Sequence, residues 1–197
     1  MWIGLVGSEM CIRDSDGIIQ YTQNGGQNWT KMTVDQLPKT PSSAFVNDIK
    51  TDLFNVSTAY VCLDNHKFGD YKPYLFKTTD GGKSWKSITS GLPEKTLVWR
   101  LVQDHINPNL LFLGTEYGVY VSLNQGEKWH KFSNGLPTIP VRDLTIQRRE
   151  NDLVLATFGR SFYVLDDFSP LRNFSEEKLN KDVLFEPRKA LQYTPMI

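Results

Sequence analysis

Three carboxylate side chains, those of Asp48, Glu116 and Asp143, are the candidates for acid–base chemistry in this sequence. Hydrolysis of a glycosidic bond uses two carboxyl groups that lie about 5 to 10 Å apart. No spacing along the chain marks two of these three residues as such a pair. The patterns typical of a Ser-His-Asp triad, a phosphate-binding loop or a metal site are absent from the sequence. The sequence therefore assigns no catalytic residue, and it predicts no metal and no cofactor.

Aromatic and arginine side chains accompany these carboxylates, and they suit binding better than catalysis. Aromatic faces pack on sugar rings, and a guanidinium group binds a carboxylate through two parallel hydrogen bonds. Such a mixture favours a glycan, or a peptide or protein, as the ligand. For Trp99 a position in the core is the favoured alternative, because aromatic residues dominate protein cores. The predicted ligand-binding residues are Trp99, Arg100, Glu116, Tyr117, Arg142 and Arg160.

The charge balance argues against nucleic acid as a partner. Lys and Arg together number 22, and so do Asp and Glu, which gives a formal net charge of zero. General affinity for nucleic acid or for an acidic membrane needs a basic surplus. No apolar run in the sequence approaches the ~18 residues of a membrane span. We therefore expect neither nucleic-acid binding nor a membrane span in this sequence.

A repeated pattern of eight residues is the main signal for the fold. Each copy has a hydroxyl residue, any residue, Asp or Asn, any residue, Gly, two further residues and Trp. The third positions are Asn24, Asp80 and Asn124, so the copies are 56 and 44 residues apart. Periods of about 40 to 50 residues suit a four-stranded propeller blade. The residues of the pattern are Thr22, Asn24, Gly26, Trp29, Thr78, Asp80, Gly82, Trp85, Ser122, Asn124, Gly126 and Trp129.

The pattern predicts a hairpin turn and no chemistry. Gly adopts the positive φ that a tight turn between antiparallel strands needs. The Asp or Asn oxygen accepts hydrogen bonds from backbone N–H groups of the turn, and the Thr or Ser hydroxyl can add another local bond. The Trp then begins the next strand and packs a large apolar surface between neighbouring sheets. All three Trp residues are therefore predicted to be structural.

Short β-branched and aromatic segments around the repeats predict the remaining strands. The fold class is all-β: a partial β-propeller of about three and a half four-stranded antiparallel blades, with a short helical segment near the C-terminus. Such an arc cannot close into a ring, so residues 16–197 expressed alone are expected to aggregate. The predicted segments are blades over 16–168 (17–33 partial, then 44–89, 97–133 and 141–167) and, over 169–197, a helical excursion, a closing strand at 183–185 and an exit segment.

Asp48, Arg100 and Asp143 occupy equivalent positions in the first strands of successive predicted blades. Their charges alternate in sign from one blade to the next. Because buried charges are normally paired, we favour an ion-pair ladder between blades over a ligand site for these three residues.

Residues 1–15 fit nothing further along the chain. They lack the positive start, apolar stretch and small-residue cleavage site of a secretory signal. They resemble a peptide that recurs when sequencing-adapter DNA is translated. We therefore expect an artefact or a disordered segment here, with the natural chain beginning near Asp16 as a piece of a longer reading frame.

The three repeats resemble the BNR or Asp-box repeats of sialidases, sortilins, xyloglucanases and a photosystem-assembly propeller. The nearest likeness is to bacterial sortilin-like or "glycosyl hydrolase" BNR proteins, and it covers residues 16 to about 167. This resemblance implies a fragment of a ligand-binding scaffold in a larger exported protein, located outside the cell, in the periplasm or at the cell surface. The remaining blades of that protein would be its other partners.

Two other functions remain open under this resemblance. One is a part of a glycoside hydrolase of the xyloglucanase or sialidase-like type, although the Phe-Arg-Ile-Pro motif of sialidases is not found. The other is an assembly factor with an arginine patch, for which Arg100, Arg142 and Arg160 are the candidates. In such propellers the ligand sites lie on the face opposite the box turns. That face would carry the loops with His66, Asp70, Tyr71, Glu116, Tyr117, Gly159 and Arg160.

Overall fold

In the computed structural model the regular secondary structure of the described residues is antiparallel β-sheet, apart from four short 3-10 helices. The structure describes residues 3–6, 9–13, 17–22, 24–133, 135–178 and 181–185, with side chains from residue 17 onward.

Fifteen strands form four separate sheets within the described residues, and in each sheet the strands pair in chain order. The first sheet contains β1 (Ile3–Val6), β2 (Glu9–Arg13), β3 (Ile18–Thr22) and β4 (Thr30–Thr33). The second contains β5 (Phe45–Thr51), β6 (Ala59–Asn65), β7 (Asp70–Thr78) and β8 (Lys86–Ser87). The third contains β9 (Val98–Gln103), β10 (Leu111–Thr115), β11 (Gly118–Ser122) and β12 (His130–Phe132). The fourth contains β13 (Val141–Gln147), β14 (Asp152–Thr157) and β15 (Phe162–Leu165).

The four sheets stack face to face through three apolar cores. Successive residues of a strand point to opposite faces, so one strand can serve two cores. In β7, for example, Phe76 packs into the core between the first and second sheets, and Leu75 packs into the core between the second and third. The first strands β5, β9 and β13 lie side by side. Sheets that stack in this way around a common edge are propeller blades, so the predicted fold class is confirmed.

At both ends of the chain the structure differs from the sequence-based expectation. Residues 1–15 are expected to be an artefact or disordered, but they contain β1 and β2. β1 pairs with β2 and β2 pairs with β3, which makes the first sheet four-stranded. An edge strand presents unpaired backbone groups, and the segment before β3 satisfies them. Residues 183–185 are expected to form the closing strand, but they belong to no strand. The fourth sheet therefore has three strands within the described residues, and the expected exit segment from residue 186 onward lies outside them.

The three repeated turns all lie at the same end of their sheets. Each joins the third strand of a sheet to the fourth, that is β3 to β4, β7 to β8 and β11 to β12. Because neighbouring strands are antiparallel, the loops from second to third strands and from one sheet to the next lie at the opposite end. We call the end with the repeated turns the box end and the opposite end the rim end.

The same hydrogen bonds close each of the three turns. In the second turn the Thr78 hydroxyl donates to Asp80 Oδ1 at 2.8 Å, and the backbone N–H of Gly82 donates to the Thr78 hydroxyl oxygen at 3.0 Å. The backbone N–H of Ser84 donates to Asp80 Oδ1 at 2.9 Å. Equivalent bonds are present in the first and third turns. The repeat therefore builds a turn from its own side chains.

The Trp of the second turn and that of the third turn pack toward the preceding sheet. Trp129 is buried in the core between the second and third sheets, where its Nε1 donates to the carbonyl oxygen of Ile88 at 2.8 Å. Trp85 packs against the core between the first and second sheets. Trp29 is 39% exposed, and the described part of the chain provides no sheet before its own. The burial of each Trp thus depends on a neighbouring sheet.

The fourth sheet has no repeated turn, and Phe168 fills the equivalent gap. Its ring is 1% exposed in the core between the third and fourth sheets and makes an edge-to-face contact with Phe112, with the ring centres 5.2 Å apart. The chain then continues as two short 3-10 helices, Ser169–Asn173 and Glu176–Lys178. The short helical segment expected near the C-terminus therefore begins directly after an aromatic residue that replaces the Trp.

Candidate functional site

A β-bulge recurs at the rim end of the first strand in each of the last three sheets. The pairing skips Asn47 in β5, Trp99 in β9 and Arg142 in β13. A bulge bends its strand and redirects a side chain. The Asn47 side chain reaches the next sheet, where its Nδ2 donates to the carbonyl oxygen of Val98 at 2.8 Å. The bulges therefore bring one side chain per sheet to the boundary with the neighbouring sheet.

Trp99, Arg142 and Glu116 meet at the boundary between the third and fourth sheets. Trp99 Nε1 donates to Glu116 Oε2 at 3.1 Å. The Arg142 guanidinium carbon lies 3.7 Å from the centre of the Trp99 ring. Arg142 Nη2 lies 3.9 Å from Glu116 Oε2. With His66, whose ring contacts Trp99, these residues form what we call the rim cluster.

The Arg142 guanidinium is fixed in position, but its hydrogen-bond donors are not all used. Its contact with the Trp99 face is a cation–π interaction, which fixes the plane of the group. The side chain is 44% exposed. Within the part of the chain that the structure describes, Arg142 donates no hydrogen bond, and its long ion pair with Glu116 leaves N–H groups available. An oriented guanidinium with free donors is a binding site for a carboxylate.

The other predicted ligand-binding residues have different surroundings. Tyr117, next to Glu116 in the turn from β10 to β11, is 45% exposed. Arg160 is exposed in the turn from β14 to β15. Phe158, which sequence reasoning missed, is 70% exposed and lies 5.8 Å from the Arg142 guanidinium carbon. Trp99 itself is 7% exposed, so it supports Arg142 and offers little ring surface to a ligand.

Arg100 belongs to the ion-pair ladder that the sequence predicts. Its Nη1 lies 3.0 Å from Asp48 Oδ1 in the second sheet, and its Nε lies 3.3 Å from Asp143 Oδ1 in the fourth. The backbone N–H of Leu101 also donates to Asp48 Oδ2, at 3.1 Å. The ladder is therefore confirmed, and it links three successive sheets through one guanidinium.

The three candidate catalytic carboxylates are not alike. The Asp48 side chain is 2% exposed and bound by Arg100, so it serves the ladder. Glu116 is 28% exposed and accepts a hydrogen bond from Trp99. Asp143 is 49% exposed and is bound by Arg100 on one oxygen. Asp143 and Glu116 thus keep partly exposed carboxylates at the rim end, whereas Asp48 does not.

His66 is a member of the rim cluster whose contacts sequence reasoning missed. It lies in the loop from β6 to β7, at the start of the 3-10 helix His66–Phe68. Its Nδ1 is hydrogen-bonded to Asp64 Oδ1, and its ring centre lies 6.0 Å from that of Trp99 in an edge-to-face contact. The loop was predicted to lie at this end, but a residue's neighbour in another sheet cannot be found from spacing alone.

Asp70 and Tyr71, expected in this loop, are instead the first two residues of β7. The Asp70 carboxylate accepts a hydrogen bond from the Tyr74 hydroxyl at 2.6 Å, which gives it a structural partner. Tyr71 is 52% exposed beside an open groove. That groove is lined by Gly69, Asp70, Tyr71, Lys72, Pro73, Thr89, Glu94 and Lys95.

At the box end the third repeated turn is covered by a later part of the chain. Asn124 Oδ1 accepts the bonds that close the turn, while its Nδ2 donates to Glu176 Oε1 at 2.7 Å. Lys128 Nζ and His130 Nε2 lie 3.9 and 3.7 Å from the same carboxylate. The amide of Asn124 thus makes a contact that a carboxylate in its place could not make.

Neither a metal centre nor a membrane-spanning helix was found in the described ranges. In residues 17–22, 24–133, 135–178 and 181–185 no three His, Cys, Asp or Glu side chains come close enough together to hold a metal ion. Among the described residues, no helix is long and apolar enough to cross a membrane.

Four stacked antiparallel sheets with a polar cluster at one end define a partial β-propeller. No protein-family profile and no curated protein matches the sequence. The fold is similar to that of the GH74 xyloglucanase from Xanthomonas campestris, with a TM-score of 0.59 and 12% identity over 79% of this chain and 26% of that one. It is also similar to YCF48 bound to D1 peptide, with a TM-score of 0.56 and 18% identity over 83% of this chain and 50% of that one.

A third similar structure is the extracellular domain of a proposed one-component system from B. thetaiotaomicron. Its TM-score is 0.62, with 15% identity over 84% of this chain and 20% of that one. The chain therefore spans between a fifth and a half of the length of these three proteins. Identities this low show a shared propeller fold, which hosts many unrelated functions.

Proposed function

We propose that this chain is a ligand-binding propeller scaffold within a larger exported protein, and that its rim cluster binds a carboxylate group of a peptide, protein or glycan. The observation that carries the proposal is the Arg142 guanidinium, stacked 3.7 Å above Trp99 and left without a hydrogen bond to any described residue. The cluster fixes this cation before a ligand arrives, so little side-chain entropy is lost on binding.

The surroundings of Arg142 support a carboxylate ligand with an apolar or ring-shaped neighbour group. Phe158 is exposed beside the cation, and Tyr117 is exposed next to Glu116, so both offer ring faces to a sugar or an aliphatic side chain. The exposed Arg160 adds a second positive charge at the same end. Arg100 does not contribute, because the ladder occupies it. A patch of three arginines, as an assembly factor would need, is therefore not the favoured arrangement.

The same proposal includes the export of the larger protein and the presence of further blades in it. They are supported by the similarity in fold to an extracellular domain and to a GH74 xyloglucanase, and by the exposed apolar side chains at the outer face of the fourth sheet. Phe162 and Val164 are 72% and 55% exposed there, whereas Val119 and Val121 at equivalent places in the third sheet are buried. The remaining blades of the parent would cover that face.

A part of a glycoside hydrolase is the second candidate. The observation in its favour is that Glu116 and Asp143 keep partly exposed carboxylates at the same end of the sheets. Against it, each of the two is already bound by a Trp or Arg side chain. The fold similarity to a xyloglucanase fits this candidate and also fits a binding scaffold.

Calorimetric titration of the full chain with four probes tests the proposal. The acidic probes are end-blocked hexa-aspartate and hexagalacturonate, and the neutral probes are hexaserine and a xyloglucan oligosaccharide. We expect one acidic probe to bind and Arg142→Ala to weaken that binding about tenfold or more, the usual worth of a charge-assisted hydrogen bond. Which acidic probe binds distinguishes a peptide from a glycan ligand.

The matched control is Arg149→Ala. Arg149 is 81% exposed at the box end, where it pairs with the adjacent Glu150. Its loss should leave the affinity unchanged. Wild-type chain that binds neither acidic probe, or Arg142→Ala that binds as tightly as wild type, would contradict the proposal. Release of reducing sugar from the xyloglucan probe, abolished by Glu116→Gln or Asp143→Asn, would establish the second candidate instead.

A further inference from the structure

We infer that His66 is a second cationic contact in the rim cluster, and that the site binds its carboxylate ligand more tightly when His66 is protonated. This inference rests on the proposed function of the cluster and adds to it a residue that sets specificity and pH response. It is carried by the contact between His66 and the buried carboxylate of Asp64 beside Trp99.

Asp64 fixes which part of the His66 ring can face a ligand. The Asp64 side chain is 3% exposed, and its Oδ1 is bonded both to His66 Nδ1 and, at 3.2 Å, to the backbone N–H of His66. Nδ1 therefore carries the proton that Asp64 accepts. The remaining ring nitrogen, Nε2, makes no hydrogen bond to any described residue. It is also not one of the buried polar atoms that lack a partner. The His66 side chain is 37% exposed, so this nitrogen is available to solvent.

His66 and Arg142 flank the same indole ring. Arg142 lies over the face of Trp99, and the His66 ring makes an edge-to-face contact with it, the centroids 6.0 Å apart. A ligand that places a carboxylate on Arg142 therefore brings its neighbouring groups close to His66. A neutral imidazole offers an acceptor at Nε2 and would repel a carboxylate, whereas an imidazolium offers a donor and would bind it.

The charged groups around His66 come from three sheet elements. Asp64 in β6 is hydrogen-bonded to His66 Nδ1, and Glu116, in the turn after β10, accepts a hydrogen bond from the Trp99 ring that His66 contacts. Arg142 in β13 lies over the same ring. Lys67, the next residue, has its ammonium group turned to the ring of Phe45, 4.4 Å from its centre. Asp64 is the one of these charged groups that contacts the His66 ring directly.

Histidine changes charge between pH 5 and 8, whereas aspartate side chains stay ionised throughout this range. The test therefore measures binding of the acidic probe that binds, end-blocked hexa-aspartate or hexagalacturonate, to the full chain at pH 5.5 and pH 8. We expect the wild-type affinity to be about five- to tenfold higher at pH 5.5, as for one added charge-assisted hydrogen bond at a partly exposed site. His66→Gln, which can donate and accept but cannot titrate, should remove this ratio and keep the affinity of pH 8.

Two further variants separate the role of His66 from a general effect of pH. His130→Gln changes a histidine at the box end and should keep the wild-type ratio. Asp64→Asn weakens the hydrogen bond that positions the His66 ring and should reduce the ratio. A ratio that survives in His66→Gln, or wild-type binding without pH dependence, would overturn the inference while leaving the proposed function intact. Absence of binding by both acidic probes at both pH values would count against the proposed function itself.

Discussion

Arg172 and Asp104 form a bidentate ion pair that links the segment after the last strand to the box end of the third sheet. Arg172 Nε lies 2.7 Å from Asp104 Oδ2, and Arg172 Nη2 lies 2.8 Å from Asp104 Oδ1. Asp104 is fully buried. Burial alone would raise the pKa of Asp104, but hydrogen bonds from Arg172 and from the backbone N–H of Asn107 outweigh it and hold that pKa below its ordinary value.

Removal of Arg172 should therefore destabilise the protein strongly. Arg172→Ala leaves a buried carboxylate without its main partner, which costs about 3 to 5 kcal/mol of unfolding free energy. Urea unfolding followed by circular dichroism measures the loss. Arg149→Ala, at an exposed pair, should change the unfolding free energy by less than about 0.5 kcal/mol. Equal effects of the two substitutions would mean that the buried pair does not hold the segment in place.

The amide of Asn124 explains why the third repeat lacks the Asp of the second. Asn124→Asp should place a carboxylate against Glu176 and loosen residues 174–178. The free energy of unfolding should fall by about 1 kcal/mol or less, because Glu176 is 38% exposed. Faster hydrogen exchange in those residues is the sensitive measurement. Asn24→Asp, in a turn that no described acidic side chain contacts, should have no such effect. Glu176→Gln should restore slow exchange in the Asn124→Asp chain.

The carboxylate of Asp80, in the second repeat, should make the free energy of unfolding depend on pH in the acid range. Hydrogen bonds from the Ser84 hydroxyl and backbone and from Thr78 lower the pKa of Asp80 from 3.8 to about 2. Because the folded state binds this proton more weakly, the contribution is complete above about pH 4 and is lost as the pH falls toward 2. Asp80→Asn should keep the turn and flatten the fall in unfolding free energy over this range. A slope identical to wild type would show that Asp80 is not held in this way.

Phe168 should be as important to the last pair of sheets as a buried Trp. Phe168→Ala removes a fully buried ring and should lower the unfolding free energy by about 3 to 5 kcal/mol. Phe158→Ala removes a ring of the same size that is 70% exposed and should cost less than about 0.5 kcal/mol. Thermal or urea unfolding of both variants compares them directly. A mild effect of Phe168→Ala would mean that the third and fourth sheets do not depend on this aromatic residue.

The repeated turns made the fold predictable, because their chemistry is local. A Thr or Ser hydroxyl, an Asp or Asn oxygen and a Gly close the turn within eight residues, and three copies in register imply three equivalent hairpins. Residues 183–185 were expected to form a closing strand, and they belong to no strand for a related reason. A short apolar run predicts a strand only if a partner edge is available, and the chain after Phe168 turns across the box end instead of returning along β15.

The rim cluster was predictable only in part, because it depends on contacts between sheets. The alignment of Asp48, Arg100 and Asp143 was enough to predict the ladder, since equivalent positions in adjacent blades face one another. The preceding residue in each strand, such as Trp99 or Arg142, is brought to its neighbour by a bulge. Nothing in the local sequence marks that extra residue, so the stacking of Arg142 on Trp99 and the approach of His66 emerged from the structure.

The indole N–H signal of Trp99 in a nitrogen-15 NMR spectrum tests the binding claim most directly. The signal is assigned by its loss in Trp99→Phe and followed while the acidic probe that binds is added to the full chain. Occupation of Arg142 should shift the Trp99 signal in step with binding and leave those of Trp29 and Trp129, at the box end, where they are. Binding that leaves the Trp99 signal unmoved, or that shifts Trp129 instead, would contradict a ligand site at the rim cluster.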